Sequence, residues 1–207
     1  MPAMTRADLM GLLLAFIARL ITGAQGHWKG CPPKAEQRIY FANHQSHADL
    51  VLMWAALPEE LRSITRPVAA KDYWTRSAFK RWITSAVFHA IYVDRVKTGD
   101  QDPLEPLIEA LTNGDSIILF PEGTRGNQEE PQSFKSGLYN LAVKFPHVVL
   151  VPAWINNVQR VMPKGEVVPV PILCSVTFGA PVVLLEGEDR SAFLTRARQS
   201  VLDLRET

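Results

Sequence analysis

Asn113-Gly114-Asp115-Ser116-Ile117-Ile118-Leu119-Phe120-Pro121-Glu122-Gly123-Thr124-Arg125-Gly126 is the stretch on which the fold turns. Asn-Gly-Asp is a turn signal, and the apolar run Ser116 to Phe120 after it reads as a short buried strand halted by Pro121. Glu122-Gly123 then turns at the strand's carboxyl end, where open α/β sheets bind their ligands. Arg125 offers a two-pronged donor to a phosphate or carboxylate. Taken alone, the segment is also explained as a surface turn in which Glu122 and Arg125 pair with each other. It is not a Gly-x-x-x-x-Gly-Lys phosphate loop.

Upstream, Asn43-His44-Gln45-Ser46-His47-Ala48-Asp49 supplies a base and a carboxylate. On one continuous helix, His44 and Asp49 would be rotated apart by about 140°. They meet only across a loop-to-helix junction, and Ser46, Asp49 and the apolar run Leu50 to Leu57 read as a capping box at such a junction. With His44 in the loop and Asp49 in the first turn, the carboxylate fixes the imidazole tautomer and stabilises imidazolium. Asp49 is also accounted for as a capping acid alone. His44, His47 and Asp49 could ligate a metal, but His27, His89 and His147 are scattered without ligand spacing, so no metal is expected. Ser46 lacks the Gly-x-Ser-x-Gly elbow of a nucleophile.

Working outward, short apolar strands fall near Arg38 to Ala42, Pro67 to Ala70, Ile91 to Asp94, Ser116 to Phe120, Val148 to Ala153 and Ile172 to Phe178. Helical patterns lie at Ala48 to Leu57, Arg76 to Phe88, Pro103 to Thr112, Ser136 to Phe145 and Arg190 to Leu204, and the Pro-rich stretch Met162 to Pro171 reads as a loop or edge hairpin. The alternation predicts an α/β fold: a single-domain α/β sandwich with a central mixed sheet flanked by helices. With 207 residues, 47% of them hydrophobic, the chain can bury one sizeable core.

A net charge of +1 argues against a nucleic-acid binder. The distribution is uneven: Arg62, Arg66, Lys71, Arg76, Lys80 and Arg81 are opposed only by Asp72 in that span. Such a stretch suits CoA phosphates, an acidic carrier protein or an anionic membrane, or is a solvated helix face. Cys31 and Cys174 form no disulfide framework, which makes a reducing compartment the default.

Leu9 to Ile21 is strongly apolar but contains Arg19 and falls short of the roughly 20 residues of a spanning helix. Asp8, Ala15, Arg19 and Thr22 recur at helical spacing, with Leu9, Leu12, Leu13, Phe16, Ile17 and Leu20 around the rest. This is an amphipathic helix suited to a membrane interface or to docking on the core. No clear small-x-small site follows it, so a signal peptide is the weaker reading. The chain accordingly divides into residues 1–30, an interfacial helix and linker, and residues 31–207, the main domain.

The His-x4-Asp segment at Asn43 to Asp49 and Phe120-Pro121-Glu122-Gly123-Thr124-Arg125 together resemble the signature of the glycerolipid acyltransferases, of the 1-acyl-glycerol-3-phosphate (lysophosphatidic acid) acyltransferase type. Ala90 to Arg95 is similar to a further block of that family, with Ala90 where the family commonly has Gly, and Val149 to Ala153 to the last. Phe134-Lys135-Ser136-Gly137 and Phe178-Gly179-Ala180-Pro181 match flanking segments, and the likeness runs from about Ile39 to Val182.

The resemblance implies transfer of a fatty acyl group from acyl-CoA or acyl-carrier protein, as co-substrate and with no cofactor, to the hydroxyl of 1-acyl-glycerol-3-phosphate in phospholipid biosynthesis. It implies His44 and Asp49 as catalytic residues and Arg95, Glu122, Gly123, Thr124 and Arg125 as acceptor-binding. Lys71, Lys135 and Pro152 are further phosphate or donor contacts. The amphipathic helix at Leu9 to Ile21, with the intracellular acyl donors that the motifs imply, leads to the expectation of peripheral association with the cytoplasmic face of a membrane. Another lyso-lipid acceptor, such as a lyso-ornithine lipid, or an inactive lipid-binding homologue are the alternatives.

Overall fold

The computed structural model describes residues 5–22, 25–46, 48–94, 102–126, 130–156 and 174–205. Arg95, His47 and the Pro-rich stretch Met162 to Pro171 therefore lie outside the described residues. The elements in chain order are α1 (Arg6–Thr22), β1 (Gln25–Trp28), β2 (Arg38–Ala42), α2 (Ala48–Ala56), α3 (Glu59–Ser63), β3 (Thr65–Ala70), α4 (Lys71–Trp74) and α5 (Ala78–Trp82). A π-helical turn (Ile83–Val87), β4 (Ile91–Val93), α6 (Glu105–Thr112), β5 (Ser116–Leu119), α7 (Gly137–Lys144), β6 (Val149–Ile155), β7 (Ser175–Phe178) and α8 (Arg190–Leu202) complete it.

The strands form a seven-stranded sheet in the order β1-β7-β6-β2-β5-β3-β4. Every neighbouring pair is parallel except β6 with β7, so the sheet is mixed, as expected. Helices cover both faces, which is why β2 is buried along its whole length. The pleat sends Tyr40 and Ala42 into a core with Leu50, Met53 and Trp54 of α2, and Ile39 and Phe41 into a second with Leu107, Leu138 and Phe193 of α6, α7 and α8. The protein is an α/β sandwich with the sheet between two helical layers.

Three departures from the sequence reading have identifiable causes. Gln25–Trp28, within the expected linker, is an edge strand parallel to β7, held by Trp28 stacked on Phe178 with centroids 4.1 Å apart. The pattern Arg76 to Phe88 is helical but not uniformly α: Ser77 Oγ accepts the N–H of Lys80 and starts α5 at Ala78, and the second half, Ile83–Val87, winds as a π turn. Pro152 sits inside β6, where a missing N–H ordinarily breaks a ladder. Its carbonyl accepts the N–H of Gly179, just past the end of β7, so the proline faces a place where no strand partner needs its donor.

Helix α1 docks through a narrow face. Gly11 and Ala15 turn inward, and a Cβ on Gly11 would stand 3.3 Å from Val87 of the π turn and 3.5 Å from Trp54 of α2. Ala15, aligned by spacing with the polar stripe, is thus part of the core. Leu9, Leu12, Leu13 and Phe16 face outward and are exposed. Among the described residues, no helix is long and apolar enough to cross a membrane.

Candidate active site

The carboxyl ends of β2 and β5 carry the two segments singled out in the sequence, and parallel pairing of Phe41 with Leu119 brings them side by side. Beyond β2, Asn43 fixes the exit of the chain: its side chain donates to the carbonyl of Ile155 at 3.1 Å and accepts the Ile155 N–H at 2.8 Å. This buried amide clamps the end of β2 to the end of β6. His44 follows in the loop, as its spacing from Asp49 requires.

His44 Nδ1 lies 2.8 Å from Asp49 Oδ2. The same oxygen accepts the backbone N–H groups of Gln45 at 2.7 Å and Ser46 at 2.8 Å. The acid thus reaches back over the loop as a capping box demands, while Ser46 Oγ accepts from Ala48 and the N–H of Asp49 goes to the Ser46 carbonyl. Asp49 is both cap and orienter, being 1% exposed, and its Oδ1 is buried without a partner among the described residues. With Nδ1 engaged, Nε2 is the nitrogen left for chemistry. Phe120 stacks on the imidazole, centroids 4.4 Å apart and planes 20° off parallel.

The second segment turns tightly after Phe120, whose carbonyl accepts the N–H of Gly123. Gly123 has φ +68°, a conformation suited to glycine, and Lys135 lies across it with Nζ 2.7 Å from where a Cβ would stand. Glu122 is 2% exposed and does not pair with Arg125. Its Oε1 accepts the N–H of His44 at 2.7 Å and its Oε2 that of Gln132 at 2.8 Å. Burial pushes the Glu122 carboxyl above the usual glutamate range, against the two backbone donors. Gly126 donates its N–H to the carbonyl of His44, a second tie between the segments.

His44 and Gly123 open onto a cleft of about 140 Å³ walled by Leu50, Val68, Ala70, Trp74, Val93, Leu119 and Phe120. An imidazole held by a carboxylate therefore sits at the head of a largely apolar slot. Lys71, at the rim, is exposed and pairs with Asp94 at 3.5 Å. Arg125 is partly buried and Thr124 exposed; Thr124 and Lys135 line a separate polar hollow of about 450 Å³ with Gln132, Ser133 and Arg198. Pro152 is buried and does not line the cleft. Arg95 follows the described Asp94 directly but is itself outside the described residues.

Of the residues expected at the site, His44, Asp49, Glu122 and Gly123 are brought together, with Thr124 and Arg125 just beyond. The tasks of Asn43, Phe120, Gln132 and Gly126 were not read from the sequence. Three of these act through backbone partners on other elements, which no local pattern records.

A family model described as Acyltransferase matches residues 31–156, more than half of the chain. The human 1-acyl-sn-glycerol-3-phosphate acyltransferase alpha is 31% identical over 176 residues, covering 82% of this chain and 59% of that protein. The Dictyostelium discoideum protein named Taffazin is 31% identical over 145 residues, 64% of this chain and 49% of its own. The crystal structure of the 1-acyl-sn-glycerophosphate acyltransferase from Thermotoga maritima superposes with a TM-score of 0.71 at 23% identity, over 96% of this chain and 79% of that one, and so shares the fold. The chain spans a little under three fifths of the length of the first mammalian relatives it matches, at 58%. The family match, the fold and the His44–Asp49 pair beside the Glu122 turn lead to one conclusion: the chain belongs to the acyltransferase family.

Proposed function

We propose that the protein moves a fatty acyl group from a thioester, acyl-CoA or acyl-carrier protein, to the free hydroxyl of 1-acyl-glycerol-3-phosphate, forming phosphatidic acid. The observation that carries this reading is the 2.8 Å contact of His44 Nδ1 with Asp49 Oδ2, which leaves Nε2 for an apolar cleft. The acceptor hydroxyl gives its proton to Nε2 as its oxygen attacks the thioester carbonyl. The tetrahedral intermediate collapses with cleavage of the C–S bond, and the leaving sulfur takes the proton back from imidazolium. General-base help of this kind is worth about 10² to 10⁴ in rate. Asp49 holds the tautomer and stabilises imidazolium through both of these steps.

Arg125 and Arg95, with Thr124 and the amines of Lys71 and Lys135, are assigned to the acceptor's phosphate or to the donor's. Gly123, at the head of the cleft, makes room for the Lys135 side chain that lies across it, which brings that amine to the turn. Glu122 serves the acceptor through the backbone it holds, because both of its oxygens are already engaged. The walls at Val68, Trp74, Val93 and Leu119 suit hydrocarbon, each buried methylene contributing roughly 0.8 kcal/mol. The exposed leucines and Phe16 of α1 suit peripheral contact with a membrane, at its cytoplasmic face, where such thioesters are made.

The experiment is thiol release by the purified protein, with acyl-CoA or acyl-carrier protein and a panel of lyso-lipids. Release dependent on 1-acyl-glycerol-3-phosphate is the expected result. Release only with a phosphate-free lyso-lipid would reassign the acceptor, and none with any acceptor would favour a lipid-binding homologue.

A further inference from the structure

We propose that α5, with the end of α4 that leads into it, is a second membrane contact that recognises an anionic phospholipid surface; this rests on the peripheral-membrane reading above. Phe79 is 63% and Trp82 37% exposed, and their rings stack at 6.4 Å, 26° from parallel. Three residues apart on one helix, they project on the same side. Neither core needs them. An exposed aromatic pair on a short helix has the character of side chains that settle at the headgroup level of a bilayer.

Arg76, Lys80 and Arg81 flank the pair along the chain. The Arg76 guanidinium donates to the backbone carbonyl of Asp72, and Lys80 Nζ sits 3.9 Å from the Tyr73 ring centroid. Arg81 is exposed. The other members of the basic stretch are differently occupied: Arg66 pairs with Asp115, Lys71 with Asp94, and Arg62 lies over the Trp54 ring. Positive charge is thus gathered around the exposed aromatics, which complements lipid phosphates rather than a purely polar protein face.

Two placements join this patch to the rest of the molecule. The π turn that α1 packs against is the direct continuation of α5, so the outward leucines of α1 and the Phe79–Trp82 pair lie on adjoining elements. Trp74, the last residue of α4, walls the cleft that holds His44. A leaflet seated on α5 lies at the cleft's rim, where a single-chain lipid can pass from bilayer to base.

The test is co-sedimentation of the full chain with vesicles of phosphatidylcholine, alone or mixed with phosphatidylglycerol. Phe79→Ser with Trp82→Ser should weaken partitioning about tenfold or more on both vesicles, as expected for loss of two interfacial rings. Arg76→Gln with Arg81→Gln, at two exposed positions, should weaken binding to the anionic vesicles by about 30-fold, from about fivefold per basic side chain. It should leave binding to neutral vesicles unchanged, and both variants should keep wild-type turnover on a short-chain soluble acceptor.

If both α5 variants bind like wild type while Leu13→Glu with Phe16→Glu is released, the contact is confined to α1 and the inference falls alone. Failure of wild type to bind either vesicle removes the peripheral-membrane reading and this inference with it. Dimerisation of the free protein that depends on Phe79 and Trp82 would assign the patch to a second copy. Loss of turnover in the charge variant with an acyl-carrier protein donor and a soluble acceptor would assign it to that protein. Either result would overturn the proposal.

Discussion

Glu122 Oε1 accepts the backbone N–H of His44 at 2.7 Å, joining two segments 78 residues apart into one unit. The other oxygen holds Gln132, so a single carboxylate organises the His44 loop, the turn and the irregular segment that leads to α7. Glu122→Gln keeps the shape but turns an amide N–H₂ toward one of two N–H donors. A loss of about 1–3 kcal/mol of stability is expected by denaturation, from leaving a buried donor unsatisfied. Turnover should fall at least about tenfold as the loop loosens, a loss of transition-state positioning. Wild-type stability in this variant would contradict the clamp.

The same residue makes stability depend on pH. Burial raises the folded-state pKa of Glu122 above its ordinary value of 4.5. The unfolded chain therefore releases this proton first as pH rises, so the contribution is full below the ordinary glutamate range and declines as pH approaches the raised folded value. Denaturation at stepped pH should show wild type losing stability relative to Glu122→Gln over that window. Parallel curves for the two proteins would assign the dependence elsewhere.

His44→Ala should lower turnover by about 10² to 10⁴ without unfolding the chain, since this loop side chain contributes chemistry more than packing. Asp49→Asn should reduce rate comparably and also cost stability, because Asp49 Oδ2 holds the N–H groups of Gln45 and Ser46 as well as the ring. Thiol release and thermal melting, measured together, separate the two effects. A His44 variant retaining more than about a tenth of wild-type turnover is incompatible with a general base.

Arg125 makes no side-chain ion pair or hydrogen bond to another described residue, as a ligand-directed guanidinium would. Arg125→Lys should raise KM for a phosphate-bearing acceptor much more than for one without phosphate, since an ammonium does not reproduce two-pronged geometry. Equal changes with both acceptors would make it a structural residue.

Gly123→Ala places a Cβ 2.7 Å from Lys135 Nζ in a φ +68° conformation. Loss of about 1–2 kcal/mol is expected from the conformation alone. Lys135→Ala in the same chain should relieve the clash but not this cost. Recovery of full stability in the double variant would locate the whole effect in the side-chain contact.

The contact of His44 with Asp49 was legible because its geometry is local: a cap, a loop and five residues of spacing put the imidazole on the carboxylate. Sheet class was equally legible, since runs such as Ile117–Ile118 and Leu150–Val151 are apolar and covered on both sides. Glu122 was not, because its partners lie in the His44 loop and at Gln132 and leave no periodic trace. Edge strand β1 was missed for a related reason: Gln-Gly-His-Trp has little strand character, and its order comes from pairing with β7. The helical pattern from Arg76 to Phe88 was legible but not its details: the Ser77 cap starts the helix two residues late, and its second half is wound as a π turn.

The Phe120 ring over His44 also limits how the imidazole can move. At a centroid separation of 4.4 Å, it fills the space through which the ring would swing on turning over, and the Asp49 contact opposes the same rotation. On the proposed reaction, one nitrogen would then receive the proton from oxygen and surrender it to sulfur without reorienting. The substrates, not the imidazole, would make the excursion: in the reaction proposed above, hydroxyl and departing thiol would visit the same point in turn, so an acceptor that docks with its hydroxyl displaced from the thioester sulfur would be held in the cleft yet go unacylated.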